Sequence, residues 1–205
     1  MNQDPPSPIT PNSARPTLVT QRLLLRPFQD SDALELHRLA GERAIADTTL
    51  NVPHPYPLEA AGEWIAGHED LWRERRQMIC AVTVAGEGDE DGPPGGALVG
   101  SAGLRLDLQH SRGELGYWIG VPYWRRGYAT EAARAVLDFG FRGLGLHRIH
   151  AQVLGGNTAS GRVLLKLGLR QEGHLREHYL KWGEPEDALV YGILRREWTS
   201  GAQAS

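Results

Sequence analysis

Alternation of apolar and polar positions with period two predicts strands in seven places, and period 3.6 predicts helices between them. Arg22–Phe28 (RLLLRPF) reads as a strand that stops near Pro27. Asp30 or Ser31 then caps a helix running to about Ala40. Leu58–Arg76 carries Leu58, Ala61, Trp64, Ile65, His68, Leu71, Trp72 and Arg75 at helical spacing and is expected to form one helix. Met78–Ala85 and Ala97–Leu106 read as two strands joined by a long hairpin loop at 86–96 (GEGDEDGPPGG), which is acidic, rich in Gly and Pro and free of apolar residues. Arg112–Val121 is a further strand, ended by Pro122. A glycine-containing turn leads to a helix over Thr130–Arg142, whose apolar side is marked by Ala132, Ala133, Val136 and Leu137. Arg148–Val153 is a strand, Asn157 opens a helix through Leu167, and Gly168 suits its C-terminal cap. Leu169–Leu175 and Ala188–Leu194 close the chain as strands. The order β α α β β β α β α β β is that of a mixed α/β domain with about four helices.

Length and composition narrow the picture. The 205 residues suit one domain, expected over 17–199, with tails at 1–16 and 200–205. A net charge of −3 gives no basic excess for nucleic acid, and no apolar run is long enough for a membrane span. One cysteine, Cys80, excludes an internal disulfide and leaves no Cys-based metal site, which fits a reducing cytoplasm. The eight histidines form no metal-ligand spacing: His147 and His150, and His174 and His178, fall in extended segments, so no metal is expected. His54, in NVPHPYP, is a candidate for the rim of a substrate site.

The stretch GYWIGVPYWRRGYATE at 116–131 carries the chemistry. A strand ends, a short turn holds Arg125, Arg126 and Gly127, and a helix begins. The first amides of a helix lack intrahelical acceptors, and the helix dipole adds positive potential, so this turn suits a pyrophosphate. Gly127 lets backbone approach the ligand, and the two arginines add charge. The P-loop and the GxGxxG fingerprint are both missing. On these residues alone, a tight connection with surface arginines accounts for the pattern equally well.

The run YWRRGYATE at 123–131, with GELGYWIG before it, resembles the acetyl-coenzyme A loop of GNAT acetyltransferases, and most closely the RimJ/RimL branch that acetylates ribosomal-protein N-termini. Gly127 and Ala129 match anchors of the family pattern; Trp124 stands where Gln or Arg is usual, as is common in that branch. Four further segments, at 18–33, 51–65, 157–173 and 176–194, resemble the branch, so the likeness spans roughly residues 18–198. It implies a single domain with a central, mostly antiparallel mixed sheet splayed at the cofactor site. It also implies acetyl-CoA as co-substrate and an amine acceptor, a protein N-terminus before a small amine. A non-catalytic acyl-CoA-binding module is the reading from another class. Both a monomer and a homodimer are compatible with the pattern.

The resemblance also assigns residues. Tyr117–Val121 becomes the strand that pairs with pantetheine, through unpaired backbone groups of Trp118 and Gly120. Ile119 supplies an oxyanion amide, and the amides of Arg125, Arg126, Gly127, Tyr128, Ala129 and Thr130 hold the pyrophosphate. For Trp118 and Ile119, core packing is the alternative for the side chains. Asn157 reads as an N-cap that, by resemblance, also contacts pantetheine. Ser160, one turn on, lies near the thioester sulfur and is the first choice to assist the leaving thiolate, with Tyr179 second. Lys166 matches a family lysine, and a solvated helix charge explains it as well. Glu114 is the candidate base. An α-amine, with a pKa near ~8, needs less help to lose its proton than a lysine at about 10.4. Cys80 sits in no nucleophile motif, so transfer is expected to be direct, in a ternary complex.

Overall fold

The computed structural model describes residues 14–84 and 96–198. The expected tails lie largely outside these residues, as does nearly all of the loop expected at 86–96. One mixed sheet of eight strands organises the chain. β1 is Leu18–Val19, β2 Leu23–Arg26, β3 Gln77–Val84, β4 Leu98–Asp107 and β5 Arg112–Ile119. β6 is Arg148–Leu154, β7 Arg170–Lys181 and β8 Glu184–Leu194. The order across the sheet is β1-β2-β3-β4-β5-β6-β8-β7, and every neighbouring pair is antiparallel except β5 and β6.

Six α-helices are present among the described residues: α1 Ala33–Ala40, α2 Arg43–Thr48, α3 Leu58–Ala66, α4 His68–Arg73, α5 Tyr128–Asp138 and α6 Thr158–Lys166. None is long and apolar enough to cross a membrane. Two differences from the sequence reading are physical. The helix expected over Leu58–Arg76 is divided at Gly67, one of two glycines that weaken the run. α3 then buries Ala61 and Ile65, while α4 buries His68 and Trp72. α2 was not foreseen, because six residues give too few turns for a periodic signal. The expected end of α5 at Arg142 is a wide turn over 139–143 in place of regular helix.

Helices cover both faces of the sheet. α5 and α6 pack on one face, where Leu115, Ile119, Val136, Leu137, Phe141, Ile149 and Leu164 form the larger core. α1 and α3 pack on the other, with Phe28, Leu36, Leu39, Ile65 and Ala81. Because both faces are covered, β3 is buried almost throughout and shows little alternation. The strand–helix entry at β2 is held by a buried bidentate pair: Arg26 Nη1 and Nη2 donate to Asp32 Oδ2 and Oδ1 at 2.7 and 2.8 Å.

Candidate active site

β5 and β6 are parallel neighbours over Arg112–Glu114 and Arg148–His150 only. β5 stays paired with β4 up to Ile119, and β6 stays paired with β8 up to Leu154. The two strands therefore part beyond Glu114 while each remains anchored on its outer side. A cleft of about 490 Å³ opens there. Its walls include Gly116, Tyr117 and Trp118 from β5, Ala151–Leu154 from β6, Asn157 and Ser160 from the start of α6, and the segment 48–53 at the end of α2 and beyond it. A Cβ on Gly116 would meet nothing within 4 Å, so the glycine keeps the floor of the cleft clear.

The register decides which backbone groups face the gap. Gly120 N–H donates to Val99 C=O at 2.8 Å, one step beyond the last β4–β5 register pair, Gly100 and Ile119. In an antiparallel pair the hydrogen-bonded positions alternate. Gly120 and Trp118 thus turn their backbone groups to β4, and Tyr117 and Ile119 turn theirs to the gap. This corrects the expectation that Trp118 and Gly120 offer unpaired groups. Periodicity could not set that parity, which depends on where β4 pairs. Ile119 C=O is already taken by Trp124, whose Nε1–H donates to it at 2.5 Å.

Trp124 belongs to the connection from β5 to α5. Arg125 at φ +62° and Gly127 at φ +81° both adopt the left-handed region there. Gly127 caps α5 in that conformation, where a Cβ is strained. Glu131 N–H is bonded back to Gly127 C=O at 3.1 Å. The amides of Tyr128, Ala129 and Thr130, at the start of the helix, have no intrahelical acceptor and face the turn. Arg22 clamps the outside of this loop: Nη1 donates to Arg126 C=O at 2.9 Å, and Nε to Glu131 Oε2 at 2.7 Å. Thr20 Oγ1 donates to Glu131 Oε1 at 2.7 Å. Burial alone would raise the Glu131 carboxyl, but the hydrogen bonds from Thr20 and Arg22 together outweigh it and hold the group below its usual range. Arg125 and Arg126 remain exposed, Arg126 over the Tyr123 ring.

At the other end of the cleft, Glu114 stands opposite His150 in the β5–β6 register and 3.4 Å from Arg105 of β4. Tyr179, from β7, donates its hydroxyl to Gln152 Oε1 at 2.5 Å. Burial, then the Glu114 charge, raise the Tyr179 phenol above its usual pKa. Burial likewise lowers His150, and Glu114 opposes that shift. Glu114, Gln152 and Tyr179 therefore gather at one end. Ser160 has a different partner: its Oγ lies 2.8 Å from the Tyr117 hydroxyl. The sequence reading placed Tyr117 in the cofactor strand but gave its hydroxyl no role, since an alternating strand tyrosine gives no sign of which helix it meets.

Asn157 caps α6 by accepting from Ser160 N–H at 3.0 Å, and its Nδ2 donates to Thr48 C=O at 3.0 Å. Lys181 Nζ donates to Asp47 C=O at 2.6 Å. The last carbonyls of α2 are thus capped from two directions, which fixes the roof of the cleft. His54 is exposed and is not among the lining residues; its neighbours Pro53 and Tyr56 are. Lys166 is exposed at the end of α6. Cys80 is buried, and burial pushes its thiol up to about 12, so it is no nucleophile.

The acetyltransferase (GNAT) domain family matches residues 22–170, well over half of the sequence. The chain belongs to the GNAT acetyltransferase family. This N-acetyltransferase is 41% identical over 182 residues to the uncharacterized N-acetyltransferase YnaD of Bacillus subtilis (strain 168), covering 88% of this chain and 98% of that one. It is 27% identical to the [ribosomal protein uS5]-alanine N-acetyltransferase of Escherichia coli (strain K12), covering 93% and 96%. The acetyltransferase's fold matches Mycobacterium smegmatis RimJ in complex with CoA-disulfide, with a TM-score of 0.78 over 89% of each chain at 23% identity.

Proposed function

We propose that this acetyltransferase moves the acetyl group of acetyl-CoA directly to the α-amine of a polypeptide N-terminus. The donor site is supported by the parting of β5 and β6 and by the loop that follows. The backbone N–H and C=O of Tyr117 would hold an amide-rich arm lying in the gap. The amides from Arg125 to Thr130, with the Arg125 and Arg126 side chains, would hold the pyrophosphate. Acetyl-CoA supplies an activated acyl group on a thiol leaving group; the chain's own residues orient it and manage protons. The Ile119 N–H faces the gap and is a donor for negative charge developing on the thioester oxygen.

The acceptor reading rests on one observation: among the described residues lining the cleft, Glu114 is the one carboxylate. A polyamine or an amino sugar carries several cationic amines, and its recognition calls for several anions. One carboxylate beside Gln77, Gln152 and Tyr179 suits a single amine flanked by amide groups. An α-amine is a weak enough base that Glu114, directly or through water, suffices to take its proton. The relative acting on ribosomal protein uS5 supports the same class of acceptor.

The test is mass spectrometry of acetyl transfer to peptides with free or blocked N-termini and to a pool of small amines. Acetylation confined to free N-termini is the expected result. Modification of polyamines or amino sugars in preference to peptides overturns the acceptor. Binding of acetyl-CoA with no transfer to any amine favours a binding module.

A further inference from the structure

Ser160 lies in the first turn of α6, with its own amide tied to Asn157 Oδ1. Its backbone is therefore fixed, and the direction of its hydroxyl depends on the side-chain rotamer. Tyr117 rises from β5 on the same side of the sheet as α6 and packs against the larger core. Its hydroxyl stands 2.8 Å from Ser160 Oγ and 3.2 Å from Ser160 C=O. Both residues line the cleft. Burial pushes the Tyr117 phenol up to about 12, so it keeps its proton at neutral pH. Tyr179, another phenol lining the cleft, is committed to Gln152.

We infer that Tyr117 is a positioning residue for Ser160. Its phenol O–H donates to Ser160 Oγ at the shorter distance, with Ser160 C=O as a second, longer acceptor of the same proton, and so selects one rotamer and leaves the serine proton free to point into the cleft. Ser160 then offers a hydrogen bond to the sulfur as the carbon–sulfur bond breaks and the electron pair stays on sulfur. No proton leaves Tyr117 in this step. Without the phenol, Ser160 O–H is free to turn back to the C=O of Gly156 or Asn157, just before α6. The inference rests on the acetyl-transfer reading of the cleft.

The experiment is a double-mutant cycle on the full chain, with Tyr117→Phe, Ser160→Ala and both together. It measures kcat, KM for acetyl-CoA and melting temperature. Tyr117→Phe keeps the ring in the core and removes one hydroxyl. We expect it to lower kcat by about 5-fold, with KM for acetyl-CoA unchanged, and Ser160→Ala to lower kcat by about 10-fold; the double variant should match Ser160→Ala alone, because the tyrosine acts through the serine. A merely structural role would lower the melting temperature and leave kcat per folded molecule unchanged, which overturns the inference. So do two independent losses that multiply in the double variant, or full activity in Ser160→Ala. Wild-type protein that transfers acetyl to no amine refutes the parent reading instead.

Discussion

In the proposed reaction, Glu114 works by position. It stands where β5 and β6 stop pairing, so the splay that opens the cleft also exposes its carboxylate. Glu114→Gln keeps the shape and removes the proton acceptor. It should lower kcat/KM at pH 7 by about 10²-fold. The deficit should shrink as pH rises through the pKa of the acceptor amine, where the amine no longer needs a base. A pH–rate profile with a peptide acceptor checks this; a deficit constant across pH would remove Glu114 as the base. Gly127 is fixed by its φ of +81°. A β-branched side chain there costs on the order of 1–2 kcal/mol in that conformation. Gly127→Val should therefore weaken acetyl-CoA binding about 10-fold or more, measured by calorimetry, while kcat at saturation changes less.

At the scale of elements, the loop between β5 and α5 is shaped by contacts that lie outside the family pattern. Trp124 replaces the Gln or Arg usual at its position, and the structure gives a reason that tryptophan serves: its indole N–H closes the turn onto Ile119 C=O. Arg22 and Thr20, from the β1–β2 hairpin, fasten the other side through Glu131. Trp124→Phe retains the ring and loses the N–H. It should raise KM for acetyl-CoA about 5-fold, the worth of one hydrogen bond, with little change in melting temperature. Steady-state kinetics at saturating acceptor tests this, and an unchanged KM would mean that the loop holds its form without the indole.

Across the whole molecule, the smaller core contains a titratable group with no evident role in catalysis. His68 is buried between Phe28 and Trp64, with ring centroids 5.5 and 4.2 Å away. Its ring nitrogens have no hydrogen-bond partner among the described residues. Burial, with a smaller push from Arg15, lowers its pKa from 6.5 to about 4. The unfolded chain therefore binds a proton there that the folded chain refuses between those values. Stability is fully present above pH 6.5 and is lost as pH falls toward 4. His68→Leu should flatten this dependence. Melting temperatures from pH 7 to 4.5 should fall less in the variant than in the wild type, and parallel curves would refute the assignment.

Several features follow from the sequence alone, because they depend on local chain chemistry. The strands from β2 to β8 and the cores of α1, α5 and α6 follow from apolar period and caps. Asn157 is the N-cap that its position after a strand requires. Gly127 and the start of α5 mark a turn with free helix amides, which by itself reads equally as an anion site or as a tight connection. The resemblance carried by GELGYWIG and YWRRGYATE named the family that the comparison bears out. Tertiary structure decided the rest. Which β5 backbone groups face the gap depends on pairing with β4, because a strand's own pattern sets side-chain faces and leaves hydrogen-bond parity open. The partners Tyr117 and Ser160 are 43 residues apart, and Lys181 and Asp47 are 134 apart. Such contacts arise only when separate elements are stacked on one sheet. The cleft itself is a place where pairing stops, and no single strand encodes the absence of its neighbour.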